Sequence, residues 1–165
     1  MPSKRRGTQA VGAGHRELTV ERLIESFDLL DEWEARYGLI IELGKTLAPL
    51  AAAERTEANR VQGCMSNVWI VAEVQSRAGV PVLMFRADSD AFIVKGLVAV
   101  LVALYSGKTA QEALMLDADE IFERLHLFDH LSPSRHVGMY AMVERIRHLA
   151  ARYASDSVPN AYRSA

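Results

Sequence analysis

Apolar residues recur at helical spacing near the start of the chain. Thr19 is a helix-capping residue type, and Val20, Leu23, Ile24, Phe27 and Leu30 follow it on one face, which predicts a first helix. Trp33, Tyr37, Ile40, Ile41 and Gly44 repeat the spacing and predict a second helix over 31–47, with Pro49 just past its exit. Residues 51–55 read as a helical turn or loop. The pattern then changes: residues 68–71 are β-branched and aromatic, Ala78-Gly79 reads as a turn, and residues 80–85 are a second strand candidate, so the two form a hairpin. Residues 60–62 read as a short third strand.

Residues 92–105 are almost wholly apolar and predict a core helix. Asp88-Ser89-Asp90 offer N-cap chemistry before it, and Gly107 is the expected residue just past its end. Thr109 and Glu112 have the spacing of a capping box, so a short helix follows, then another over 117–125. Ser132-Pro133 is an N-cap with proline at the first helical position, opening a last helix with Tyr140, Val143, Ile146, Ala150 and Tyr153 on one side. The expected architecture is α+β: a small antiparallel sheet of about three strands packed with helices. The expected organisation is a disordered leader over 1–18, one domain over 19–155 and a flexible tail over 156–165.

Half of the 165 residues are hydrophobic and 24% are charged, enough for a sizeable core under a polar surface. The net charge of −2 gives no basic balance, so nucleic acid is not an expected partner, and Lys4-Arg5-Arg6 reads as a solvated end. The apolar run over 92–105 is interrupted by Lys95 and falls short of the roughly 20 residues a bilayer demands. Lys95 is expected to snorkel at the surface, and Trp69 to be core. The basic start lacks the apolar segment of a secretory signal, so a cytoplasmic setting is expected.

Candidate chemistry centres on the single cysteine, Cys64, in the stretch N-R-V-Q-G-C-M-S-N-V-W-I over 59–70. A lone cysteine is most often a small buried hydrophobe. Here Gly63 precedes it, Ser66 and Asn67 are polar, and the apolar run begins only at Val68, which favours a loop position near the surface. Arg60 is close enough in sequence to favour the thiolate. One thiol excludes an internal disulfide and an all-cysteine zinc or iron–sulfur site. Ile70 stands where a phosphatase loop needs arginine, and Gly12 and Gly14 lack the third glycine of a dinucleotide fingerprint. His126 and His130 are spaced as two ligands on one helical face, although surface or capping histidines are the commoner outcome. A dyad of Cys64 with a histidine, as in a thiol hydrolase, stays open.

The cysteine stretch resembles the cysteine loop of the SufE family, the sulfur-acceptor (cysteine desulfuration) proteins of iron–sulfur cluster assembly. Three further blocks agree in order: Y-G-L-I-I-E-L-G over 37–44, D-S-D-A-F-I-V-K-G over 88–96 and H-L-S-P-S-R-H-V-G over 130–138. Together they span roughly 20–150. The resemblance implies an α+β fold shared with IscU-type scaffolds. It implies that Cys64 accepts sulfur from a pyridoxal-phosphate-dependent cysteine desulfurase of the SufS or CsdA type, stimulates that enzyme, and passes sulfur on to a downstream cluster scaffold. The cofactor then belongs to the partner; no cofactor or metal of the chain's own is expected, and a homodimer is open. Met65 departs from the polar residue expected after the cysteine.

Around Cys64, the resemblance makes Gly63, Met65, Ser66 and Arg135 supporting candidates, and Arg60, Asp88, Ser89 and Asp90 partner-docking candidates. A cluster scaffold and a thiol hydrolase are the competing readings. Shielding of Cys64 by apolar neighbours, with the loop swinging out on docking, is expected from the glycine beside an apolar strand.

Overall fold

The structure is a computed structural model that describes residues 19–156. The leader and nearly all of the tail expected from sequence, with the Lys4-Arg5-Arg6 cluster and Gly12 and Gly14, lie outside the described residues.

Helix α1 (Val20–Asp28) begins where Thr19 caps it, its hydroxyl accepting from the Arg22 amide at 3.2 Å. Helix α2 spans Trp33–Lys45, shorter at both ends than its apolar pattern, because no side chain caps the Glu32 end and the chain turns before Pro49. Two 3-10 turns, Ala52–Glu54 and Glu57–Asn59, carry the chain to the hairpin.

Strands β1 (Val68–Arg77) and β2 (Val80–Ser89) pair antiparallel along their whole length, Val68 opposite Ser89 and Arg77 opposite Val80. Both are longer than their apolar patterns: the backbone ladder carries β1 on through exposed residues toward the turn, and carries β2 on at the opposite end, past Phe85 to Ser89. Ala78 and Gly79 both take positive φ, 50° and 78°, the mirror-image turn that matches strand twist. The third strand of the sequence reading shrinks to a single bridge between Arg60 and Trp69, held by the Val61 amide on the Val68 carbonyl at 2.8 Å. The chain leaves that edge immediately afterwards because Gly63, at φ 91°, turns it away.

Helix α3 (Phe92–Tyr105) is the centre of the molecule, buried from Gly96 to Leu101 and packed between α2, β2 and the last helix. It is not capped as expected. Its N-cap is Ala91, whose own side chain makes no bond. The Ser89 hydroxyl accepts from the Ala91 amide at 3.2 Å, while Asp88 and Asp90 are engaged by Leu50 and Asn67. At its other end Gly107 takes φ 81° and closes the helix as its sequence indicated. Helix α4 (Ala110–Met115) has the reciprocal Thr109–Glu112 capping box, and α5 (Ala118–Arg124) is capped by Asp117. The chain then turns left-handed at His126, φ 52°, into the 3-10 turn Leu127–His130.

Helix α6 (Pro133–Asp156) closes the fold, burying Met139, Met142, Val143, Ile146, Leu149 and Ala150. Tyr140, expected on that buried side, is 45% exposed and donates to Asp119 at 2.8 Å. Trp69 is half-buried rather than core. The result is the expected α+β arrangement with two strands in place of three. Among the described residues no helix is long and apolar enough to cross a membrane.

Candidate functional site

The loop carrying Cys64 is clamped at both ends. Before it, the Arg60 guanidinium pairs with Glu57, Nε to Oε2 at 2.8 Å, which pulls the Glu57 pKa down to about 2. The arginine is thereby turned to its own neighbour and does not line the cysteine cavity, contrary to the expectation that it favours the thiolate. After the loop, Asn67 is held three ways. Its amide and side-chain nitrogens donate to the Asp90 carboxylate at 3.1 and 2.9 Å, and its carbonyl accepts from the Ser89 hydroxyl at 2.8 Å. Ser89 and Asp90 are therefore braces of the cysteine loop.

Asp88 is 6% exposed and faces inward. Its carboxylate accepts from the Leu50 amide at 3.1 Å and the Ser89 amide at 2.8 Å, and lies 3.3 Å from the Lys95 ammonium. Burial works to raise its pKa, but these donors outweigh it and the net shift is downward. Asp88 is thus a structural anchor tying the 3-10 region to β2. Lys95 is its half-buried counter-ion, turned to Asp88 rather than out to solvent.

Between the clamps, Gly63 packs on α6, where a Cβ would stand 3.4 Å from that of Ala141. Cys64 is half-buried and its thiol donates to the Gly138 carbonyl with sulfur and oxygen 3.4 Å apart. A Cβ at Gly138 would stand 3.6 Å from the sulfur. The thiol lines a cavity of about 290 Å³ whose walls include Met65, Ser66, Arg135, Val94 and Leu97. Burial pushes the thiol pKa up. Arg135 enters from the first turn of α6 and makes no ion pair among the described residues.

Four of the sequence-predicted residues, Cys64, Met65, Ser66 and Arg135, share this cavity, and Gly63 shapes its approach. Gly138, the acceptor for the thiol, is marked in the sequence only as the last residue of the block over 130–138. The histidine pair does not form: the left-handed turn at His126 breaks the helical spacing, and His130 stacks on Trp33 with ring centroids 4.1 Å apart. Among the described residues no three or more His, Cys, Asp or Glu gather as metal ligands.

The sequence matches the family described as SufE, Fe-S metabolism associated domain, over residues 21–150. The chain belongs to the SufE family. An "uncharacterized SufE-like protein" of Rhizobium etli is 47% identical over 129 residues, covering 78% of this chain and 87% of the relative. One from Rhizobium meliloti is 45% identical over 129 residues, covering 78% and 92%. A solution structure of a hypothetical protein from Thermus thermophilus superposes with a TM-score of 0.67 at 18% identity, covering 82% of this chain and 96% of that one, a likeness of fold.

In this SufE-family chain the cysteine cavity has an apolar rim. Met65, next to the thiol, is 90% exposed, Phe92 at the start of α3 is 79% exposed, and Val137 beside Gly138 is 60% exposed. Met65 lines the cavity itself, and Phe92 and Val137 are sequence neighbours of the lining residues Ala91, Ile93 and Gly138. Exposed apolar side chains of this size are the kind partners cover. The raised thiol pKa has a measurable consequence. Alkylation of the free protein by iodoacetamide should be slower at pH 7.5 than that of an unstructured cysteine peptide. Its rate should keep rising past the free-thiol midpoint of about 8.5. A midpoint below that value would mean that a cation outweighs burial.

Proposed function

We propose that this protein accepts persulfide sulfur on Cys64 from a pyridoxal-phosphate-dependent cysteine desulfurase, of the SufS or CsdA type, and hands it on for iron–sulfur cluster assembly. The observation that supports it best is the placement of the lone thiol: on a glycine-hinged loop, half-sheltered in a cavity, inside an exposed apolar rim, in a chain of a family associated with Fe-S metabolism.

The donor is a protein persulfide. The Cys64 thiolate attacks its outer sulfur, a new S–S bond forms, the donor's S–S bond breaks, and the donor leaves as thiolate. The sulfur is transferred without net oxidation and the pyridoxal phosphate stays with the partner. At rest the half-buried thiol has a raised pKa and stays protonated, which keeps it quiet toward oxidants. Docking of the apolar rim draws the loop out and exposes the sulfur to the donor. The extra sulfur atom, comparable in volume to a water at about 30 Å³, then has room in the cavity when the loop returns. Arg135 is the cation that faces the persulfide anion there. With no second cysteine in the chain, no internal disulfide can expel the cargo. The reading carries with it a cytoplasmic setting and a downstream scaffold as acceptor.

The competing readings find less support. Among the described residues the scaffold lacks a ligand group and no histidine lines the cavity as a hydrolase base.

The test is intact mass spectrometry after incubation with a cysteine desulfurase and free cysteine. The expected result is a gain of about 32 Da, one sulfur, on the peptide that contains Cys64, reversed by reductant. No gain, or a gain that survives prior alkylation of Cys64, would overturn the proposal.

A further inference from the structure

The Cys64 cavity uses one stripe of α6. A neighbouring stripe, further along the helix, carries two cations with no acid beside them among the described residues. Arg145 and Arg152 stand two turns apart and both line a cleft of about 320 Å³. Its other walls are the outer edge of β1 at Val71 and Ala72 and the 3-10 turn at Asn59. Among the described residues no carboxylate lines it. Neither arginine makes an ion pair among the described residues.

Arg145 is half-buried and poorly satisfied. One of its terminal nitrogens reaches the Ile70 carbonyl at 3.4 Å, a long bond, and its Nε is sealed from solvent with no partner in the described structure. Burial and, after it, the charge of Arg152 pull the Arg145 pKa down. A buried N–H without an acceptor and two like charges on one wall both cost free energy. A single anion between them offsets the like charges and gives the exposed guanidinium nitrogens an acceptor. The acids nearby are placed differently: Glu57 and Glu144 line an adjoining cleft on the other side of Arg145, and Glu57 is already bound by Arg60 and Gln62.

We propose that this cleft is a binding site for a small oxyanion of the phosphate class, held by the guanidinium groups of Arg145 and Arg152. Guanidinium forks match the spacing of phosphate oxygens and form charge-assisted hydrogen bonds with them. The occupied site ties α6 to the edge of β1 and to Asn59, which stands just ahead of the cysteine loop. The site is independent of sulfur transfer, so its test needs no partner protein.

The experiment titrates inorganic phosphate into the full chain with chloride adjusted to constant ionic strength, and acetate as a second arm. Amide and Arg145 Nε–H resonances are followed by NMR, and thermal unfolding is recorded in parallel. The expected result is a saturable shift of Asn59, Ala72 and the Arg145 Nε–H with phosphate, and a rise in the unfolding midpoint. Arg152 is exposed, so Arg152→Gln should fold normally. It should weaken phosphate about tenfold, the loss of one charge-assisted donor. An unchanged phosphate response in Arg152→Gln, an equal response to acetate or chloride, or no saturable shift would each overturn the site.

Discussion

Cys64→Ser should fold like the parent and take up no sulfur. Serine keeps the size and the single donor of cysteine, so its hydroxyl can still reach the Gly138 carbonyl, where the thiol now sits 3.4 Å from the oxygen. The side chain is half-exposed, and stability should change by less than about 1 kcal/mol. The chemistry does not survive. A serine hydroxyl is far less ionised than a thiol at neutral pH, and an oxygen–sulfur product has no counterpart to the persulfide exchange. Mixed with a desulfurase and cysteine, the variant should show no mass gain. Its stimulation of desulfurase turnover should fall to the level of a mixture without it. Circular dichroism and the unfolding midpoint serve as the controls for folding. A serine variant that still stimulated turnover would remove Cys64 from the transfer and leave at most a scaffolding role for this surface.

The largest loss of stability should come from Gly96→Ala. A Cβ at Gly96 would stand 2.1 Å from the Ile40 carbonyl oxygen and 2.5 Å from an Ile40 side-chain carbon. The reciprocal contact is as close: a Cβ at Gly44 would lie 2.8 Å from the Gly96 amide nitrogen. Helices α2 and α3 therefore cross backbone to backbone. The obstacle is a carbonyl, which no rotamer change can move aside. The helices would have to separate, opening the core between Ile40, Leu43, Leu97 and Leu101. Overpacking on this scale costs about 3 kcal/mol or more, which lowers the unfolding midpoint by roughly 6–12 °C in a chain of this size. Alanine is the better helix former, so propensity alone predicts a gain of up to about 1 kcal/mol. The sign of the measured change thus decides between the crossing and the isolated helix. A variant as stable as the parent in thermal or urea unfolding would mean that α2 and α3 do not touch here.

Much of the fold is legible along the chain because its signals act over a few residues. Thr19 caps α1, Thr109 and Glu112 cap α4 reciprocally, and Ala78-Gly79 turn the hairpin as their residue types indicate. The cysteine site is legible in the same way, through a short block with a glycine and one thiol. The other three blocks carry a meaning that spacing does not reveal. The stretches over 37–44 and 88–96 end in Gly44 and Gly96, and these two glycines meet at the helix crossing. The stretch over 130–138 ends in Gly138, and this glycine takes the thiol hydrogen bond.

The misreadings share one cause. Asp88-Ser89-Asp90 look like a cap because they precede a helix. Asp88 instead binds the Leu50 amide, 38 residues earlier, and Asp90 binds Asn67, 23 residues earlier. Lys95 looks exposed until its partner Asp88 is seen beneath it. The third strand looks continuous until Gly63 turns the chain onto α6.

By itself, then, the sequence determined the helices, the hairpin, the family and the single thiol, since caps, turns and apolar periodicity are local properties of the backbone. Only the tertiary structure decided how deeply that sulfur is sheltered, which polar groups brace its loop and where two arginines stand with no acid beside them among the described residues. Those depend on groups dozens of residues apart, such as Cys64 and Gly138 at a separation of 74, meeting at distances that burial and packing set.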